Sequence, residues 1–251
     1  MPVIATDALV LRTHKLGETS KVVVLLTRDR GKVRAVAKGA RGARPRYQSA
    51  LEPLSEVRVS LHGRQGAELL RLGACELLRS AFPASARGLG TALVLSYLAE
   101  LLDAFAQEGE AEDKVYRLAL AAIEAAGQGA DERVLARYLE AWLLRLHGVY
   151  PPLDRCASCG GALPAGGLRY HDAARGFVCD HCGPASGALL PEAARAFLEE
   201  AFRRPPAGMM EHQASEATTL ELFHQDLISN HLERSLRSHR VMKDVAREVL
   251  R

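Results

Sequence analysis

Aromatic side chains are almost missing where positive charge is densest: residues 1 to 80 contain one, Tyr47. That scarcity argues against a base-stacking platform, because single-strand binders of that kind line successive bases with aromatic rings. Acidic residues are missing altogether from Arg30 to Leu51, a stretch that holds Arg30, Lys32, Arg34, Lys38, Arg41, Arg44 and Arg46. No run reaches the roughly 20 apolar residues that a membrane-spanning helix needs. The start, MPVIATDALVLR, lacks a charged region followed by an apolar one, so a cytoplasmic protein without a secretory leader is expected. Cysteines number five, an odd count that fits a disulfide framework poorly. Also absent are a G-x-x-x-x-G-K-[ST] phosphate loop, an H-E-x-x-H pair and any run of carboxylates spaced for two metals. The expectation is therefore a protein that is not an enzyme.

What is present begins with an uneven charge. The net charge of +3 conceals 15 Lys and Arg against 7 Asp and Glu in residues 1 to 80, with 18 against 23 in the remainder. A chain of 251 residues with 48% hydrophobic content is expected to form about two domains. Ile4 to Thr13, Lys21 to Thr27 and Lys32 to Lys38 read as strands, separated by turn signals at Leu16-Gly17-Glu18 and Asp29-Arg30-Gly31. Leu54 to Leu61 alternates, with Val57, Val59 and Leu61 on one face. A fifth run covers roughly Glu68 to Leu78. Five strands in about 80 residues with no intervening helix predict a small antiparallel barrel. An oligonucleotide-binding (OB) barrel is the first candidate; an SH3-like barrel or a sandwich shares the periodicity. The loop from Gly39 to Pro45 is expected to be exposed and able to follow a polyanion. Lys32, Arg34, Lys38, Arg41, Arg44, Arg46 and Arg58 are the candidate phosphate contacts, and binding of that kind is salt-sensitive and tolerant of sequence. Tyr47 either stacks on one base or packs on the barrel rim. Cys75, among leucines, reads as a small buried hydrophobe.

From Ser85 the apolar period lengthens. Thr91 to Gln107, Lys114 to Ala126 and a third segment from an Asp131 N-cap to about His147 are predicted helices. Pro191 to Arg203 and Ser215 to Arg237 follow, with a short helix from Val241. His212, His224, His231 and His239 lack the spacing of a metal pair and read as surface or packing residues. Cys156-Ala157-Ser158-Cys159-Gly160 and Cys179-Asp180-His181-Cys182-Gly183 have the spacing of two knuckles closing one tetrahedral site. Cys156, Cys159, Cys179 and Cys182 are the expected ligands of one structural Zn2+, with His181 or His171 as lesser substitutes. Each glycine after the second cysteine is expected to permit a tight turn. The predicted architecture is α+β: an N-terminal antiparallel barrel, OB-type as first candidate and nucleic-acid-binding (1–80), a helical domain in two parts (81–152 and 188–251), and an inserted zinc knuckle (153–187).

Taken in this order, the segments ALVLRTHKLGETSKVVVLLTRDRGKVRAVAKGARG, LEPLSEVRV, CASCG, CDHCG and LRSHR resemble the RecO family of the bacterial RecFOR recombination pathway. The resemblance implies an OB domain, a helical domain and a zinc knuckle that some members lack. It also implies binding of single- and double-stranded DNA, annealing of complementary strands, and cooperation with RecR in loading RecA onto DNA coated by SSB. The helical domain is implied to engage the acidic C-terminal tail of SSB, and a cytoplasmic, nucleoid-associated location follows. Two rival classes share parts of the pattern: a zinc-ribbon factor that binds RNA, and a nucleic-acid enzyme that uses the barrel for delivery.

Overall fold

The structure, a computed structural model, describes residues 3–41, 46–64, 66–183, 186–212 and 214–249. The chain divides into two compact units, Met1–Gly129 with Leu236–Arg251, and Ala130–Ser235. In the first, β1 (Val3–Leu16), β2 (Ser20–Thr27), β3 (Gly31–Ala37), β4 (Glu56–His62) and β5 (Leu70–Arg79) close a barrel in the order β1-β2-β3-β5-β4. This is an OB-type barrel, and its parallel contact, β3 with β5, spans only Ala35↔Leu70 and Val36↔Arg71. β1 is long enough to serve two neighbours. It pairs with β4 through Val3–Leu9 and with β2 from Ala8 to Leu16, turning at a bulge between Val10 and Arg12.

Val10, Val23, Leu25, Val57, Val59, Leu61 and Leu72 fill the barrel interior. The outward positions Leu9, Leu11, Val24 and Leu26 are buried as well. Helix α2 (Leu89–Phe105) packs over β1 and β2 and covers them. A strand buried on both faces needs a continuous apolar run, which is why Val22 to Leu26 carries no alternation. Around α2 lie α1 (Phe82–Ser85), α3 (Asp113–Gln128) and α7 (Arg237–Val249). The link from α2 to α3 crosses the turn between β2 and β3. There Lys32 N–H donates to the Gln107 carbonyl at 2.8 Å, and a Cβ on Gly31, whose φ is +62, would stand 2.0 Å from the Glu110 carbonyl oxygen.

The second unit holds α4 (Glu132–Leu146), α5 (Glu192–Ala201), α6 (Ala214–Leu232) and a small sheet of β6 (Leu168–His171), β7 (Gly176–Val178) and β8 (Ala188–Leu190) in the order β7-β6-β8. Asp131 caps α4 as expected, its carboxylate accepting from the N–H groups of Arg133 and Val134 at 2.9 and 3.1 Å. The helix expected from Ser215 to Arg237 stops earlier, at Leu232, and the last helix, expected from Val241, starts earlier, at Arg237. Glu233 adopts a left-handed φ of +54, Leu236 is buried, and α7 starts at Arg237 in the first unit. Glu100 on α2 accepts from the N–H groups of Arg237 and Ser238 at 3.0 and 2.7 Å, satisfying donors that a new helix start leaves open.

His224 lies deeper than an ordinary surface position. It and Glu140 are both 0% exposed where α4 meets α6, with Nδ1 and Oε2 2.9 Å apart. Arg137 donates to the other Glu140 oxygen at 2.7 Å, Gln225 donates to it at 3.1 Å, and the Tyr150 hydroxyl meets His224 Nε2 at 3.1 Å. Burial pushes the His224 imidazole below its ordinary pKa, against the pull of Glu140.

Two outcomes follow for stability. Gly31→Ala is expected to cost about 2–4 kcal/mol in urea unfolding, combining left-handed strain with displacement of the 107–110 backbone. Gly17→Ala, at φ +61 with nothing near its Cβ, should cost only about 1–2 kcal/mol. Because the unfolded chain binds the His224 proton more readily, His224 contributes stability above its unfolded pKa of about 6.5 that is lost as pH falls through the lower folded value. Unfolding followed by Trp142, the single tryptophan, should therefore show wild type weakening from pH 7.5 to 5.5, with His224→Gln less stable at pH 7.5 but flatter across the range.

Candidate nucleic-acid interface and metal centre

The cations of the barrel fall into two groups, sorted by whether an acid reaches them. On one side Asp103 of α2 takes Arg12 at 2.6 Å, and the Lys32 ammonium donates to the Asp103 carbonyl at 2.6 Å with the carboxylate 3.8 Å away. Burial pushes the Lys32 ammonium down from its ordinary pKa. Glu108 pairs with Arg34 at 2.7 Å and Asp113 with Arg28 at 2.7 Å, and the Arg28 hydrogen bond holds the Asp113 carboxyl below the usual range. Arg58 grips Asp7 through two bonds, at 2.8 and 3.3 Å. Where β3 and β5 diverge, a cavity of about 410 Å³ is lined by Arg30, Lys32, Arg34 and Arg64 but also by Asp29, Glu68 and Glu108. Mixed lining of this kind offers no clear field to an anion.

The other group gathers at one rim. Lys15 of β1 stands directly opposite Lys21 of β2, and Lys21 opposite Ala37 of β3, so that Lys38 follows at the same end. Like charges facing across strands are unfavourable for the sheet. Arg41 is fixed to the same end, its backbone N–H donating to Thr19 at 2.9 Å and its guanidinium to the Gly17 carbonyl at 3.0 Å. Arg46 N–H donates to the Gly39 carbonyl at 3.2 Å, which closes the base of the loop. Among the described residues no acid pairs with Lys15, Lys21, Lys38, Arg41 or Arg46. Arg44 lies outside the described residues.

Of the seven cations expected from sequence, the structure brings Lys38, Arg41 and Arg46 together and holds Lys32, Arg34 and Arg58 on acids elsewhere. Sequence reasoning passed over Lys15 and Lys21, which flank the first turn symmetrically and would have been found by extending the hairpin register outward. Tyr47 resolves to packing. Its ring is 5% exposed, its hydroxyl donates to the Leu72 carbonyl at 3.0 Å, and the Arg46 guanidinium lies 5.5 Å from its centroid. Cys75 is half-buried against the barrel core, and burial pushes its thiol up to about 11. Glu199 and Glu200 of α5, both half-buried, are engaged by Arg195 and by Arg204 and His212 respectively.

In the second unit β7 runs directly into Cys179, and Ala157 N–H donates to the Phe177 carbonyl at 2.8 Å, which brings the two C-x-x-C turns side by side. The sulfurs of Cys156, Cys159, Cys179 and Cys182 all lie within 4.8 Å of one another, with Cys159 and Cys179 at 3.8 Å. A tetrahedral zinc site with Zn–S near 2.3 Å requires sulfurs about 3.8 Å apart. Cys179 N–H points at Cys156 Sγ at 3.4 Å, and this bond, helped by the backbone at Cys159, holds the Cys156 thiol down to about 6. Cys182 is pushed up to about 12 by hydrogen bonds to Cys159 and Cys179. Four sulfurs this close cannot all ionise on their own; a divalent cation removes that conflict, so the donor set fits a metal. Gly160 has the expected left-handed turn, φ +71. Gly183 does not, and its role is space: a Cβ there would stand 2.3 Å from Val178 and 2.9 Å from His171.

Among the described residues no helix is long and apolar enough to cross a membrane. Residues 1–81 match the family model for the recombination protein O N terminus, and residues 88–240 match that for its C terminus. The DNA repair protein RecO of Koribacter versatilis is 34% identical over 237 residues, covering 92% of this chain and 94% of that protein. The one of Anaeromyxobacter sp. strain K is 33% identical over 246 residues, covering 94% of each. That of Geobacter metallireducens is 35% identical over 189 residues, covering 75% and 76%. The chain belongs to the RecO family of DNA repair and recombination proteins.

Proposed function

We propose that this chain is a non-enzymatic mediator that binds single- and double-stranded DNA, anneals complementary strands and, with RecR, assists RecA loading onto DNA coated by SSB. The observation that carries the reading is the rim of unpaired cations, Lys15, Lys21, Lys38, Arg41 and Arg46, on a barrel whose one tyrosine is turned into the core. Cations meeting phosphates release condensed counterions whatever the bases are. A site built this way neutralises two backbones while leaving base edges free to pair. Residues 1–80 act as the DNA-binding domain, with Arg44 in the same basic loop. Lys32, Arg34 and Arg58 add background potential, since their carboxylate partners already occupy them. The helical domain takes the partner role, including the SSB tail, and the protein works in the cytoplasm at the nucleoid.

Cys156, Cys159, Cys179 and Cys182 hold one Zn2+. With four sulfur ligands the ion has no open position, so it supplies structure and not Lewis-acid chemistry. The residues themselves fold two turns against the β6–β8 sheet, and Phe177, Tyr170 and Phe223, with ring centroids 5.2–5.8 Å apart, back that sheet with an apolar cluster.

The first test is annealing of two complementary DNA oligonucleotides without nucleotide cofactor, across a salt series. Wild type should accelerate pairing, and Lys38→Glu/Arg41→Glu/Arg46→Glu should abolish it while remaining folded, with the slope of log K against log salt reduced by about 2 to 3. An unchanged mutant, or a preference for structured RNA, overturns the reading. For the metal, elemental analysis should find one zinc per chain. Chelation should make four thiols reactive at once, with Cys75 lagging because its thiol pKa is about 11. Cys159→Ser should unfold residues 130–235 first, with DNA binding retained; lost DNA binding at native thermal stability would assign the zinc to the DNA contact instead.

A further inference from the structure

The negative part of the chain does not extend to its end. Residues 81 to 233 carry 12 Lys and Arg against 21 Asp and Glu, whereas residues 234 to 251 carry six against two. The fold returns this last basic segment to the first unit, which also holds the basic barrel sequence. The unit of residues 1–129 and 236–251 thereby holds 23 Lys and Arg against 16 Asp and Glu, and the unit of residues 130–235 holds ten against 14.

Helix α7 is docked on α2 by a defined set of contacts. Leu236 is 1% exposed, Glu100 accepts the first two N–H groups of the helix, and the His239 ring lies 5.8 Å from that of Tyr97. These contacts fix which side faces outward. Arg237, Arg240 and Lys243 are exposed, and their spacing of three residues keeps them within about 120° of the helix circumference at intervals of about 4.5 Å, a face they share with one exposed acid, Asp244. Arg247 follows four residues later in the sequence. No ion pair among the described residues neutralises Arg240 or Lys243. The contrast with Arg12, Arg28, Lys32, Arg34 and Arg58 is direct, since each of those has an acid within 4 Å.

We propose that the exposed basic face of α7 is a second contact for a nucleic-acid phosphate backbone, separate from the barrel rim and carried on the same compact unit. The inference rests on the DNA-binding reading above and extends it. A strand of duplex DNA presents a phosphate about every 3.4 Å along its axis, and a row of cations at intervals of about 4.5 Å matches that density closely enough for several contacts at once. A second cationic track on the same unit gives one of two backbones a contact beyond the rim.

The test uses the full chain and a fluorescent single-stranded oligonucleotide and its duplex, titrated from low to high salt. Arg240→Ala/Lys243→Ala keeps good helix formers on α7, so circular dichroism should be unchanged. Its slope of log K against log salt should fall by about 1.4 to 1.8, which is about 25- to 60-fold in affinity at 0.1 M salt if the curves converge at 1 M. Lys38→Ala/Arg41→Ala should lower the slope independently, and the two effects should add. Arg133→Ala/Arg155→Ala removes equal charge from the other unit and should leave the slope unchanged. If the rim variant loses slope and the α7 variant does not, the α7 contact is wrong and the DNA-binding reading stands. An equal loss in the Arg133/Arg155 control reduces the effect to net charge and overturns the α7 contact. Absence of DNA binding by wild type overturns both.

Discussion

The acids of α2, of the link to α3 and of the first residue of α3 decide what the barrel can do. Asp103, Glu108 and Asp113 each take a strand or turn cation at 2.6–2.7 Å, and in doing so they tie the first helices to the barrel wall. Each of these pairs is too exposed to add much stability alone. Their collective consequence is electrostatic: they remove Arg12, Arg28, Lys32 and Arg34 from the pool of free charge along one wall. What remains free lies at the rim, where Lys15 faces Lys21 and, among the described residues, no acid pairs with either. The same backbone that carries these acids lies against Gly31, the one residue at that turn whose missing Cβ leaves room for the Glu110 carbonyl.

This division explains how far the sequence could be read. The five strands and the closure into a barrel were legible because short β-branched and apolar runs, alternating outside β2, and the Gly17 and Gly31 turns are local signals. The cysteine cluster was legible because its spacing is itself a geometric statement. Which cations stay free was not legible, since the partners Asp103 and Glu108 lie 71 and 74 residues from Lys32 and Arg34 and carry no local mark. The position of the break between α6 and α7 was hidden for a related reason: Leu232 and Leu236 keep helical spacing across it, while the cause, the Glu100 carboxylate, lies on a distant helix. His224 was equally opaque. A histidine four residues after an apolar leucine looks ordinary until α4 brings Glu140 and Arg137 against it.

The two units rely on different means of cohesion. The first has a filled barrel and a helix layer, and the barrel interior is aliphatic apart from Tyr47. The second buries Glu140, His224 and Arg137 together and adds strands of only three or four residues, which cannot stand as a sheet alone. A buried ionic group of this kind adds little net stability, but losing one partner strands the others without water, so it makes the packing of α4 on α6 intolerant of alternatives. The cysteine turns serve the same end for the small sheet, anchoring its β7 edge through Ala157 and Phe177.

Under the annealing role proposed above, the scarcity of aromatics has a mechanistic meaning. Stacking would hold each base by about 1–3 kcal/mol and would have to be undone before that base could pair. Phosphate contacts carry no such opposition, because a backbone neutralised at the rim is still neutralised after its bases have found a complement. With Tyr47 sealed into the barrel by Leu72, the only aromatic that this end of the chain has is withheld from the bases. On this reading affinity resides in the rim cations, and the bases stay available for pairing throughout.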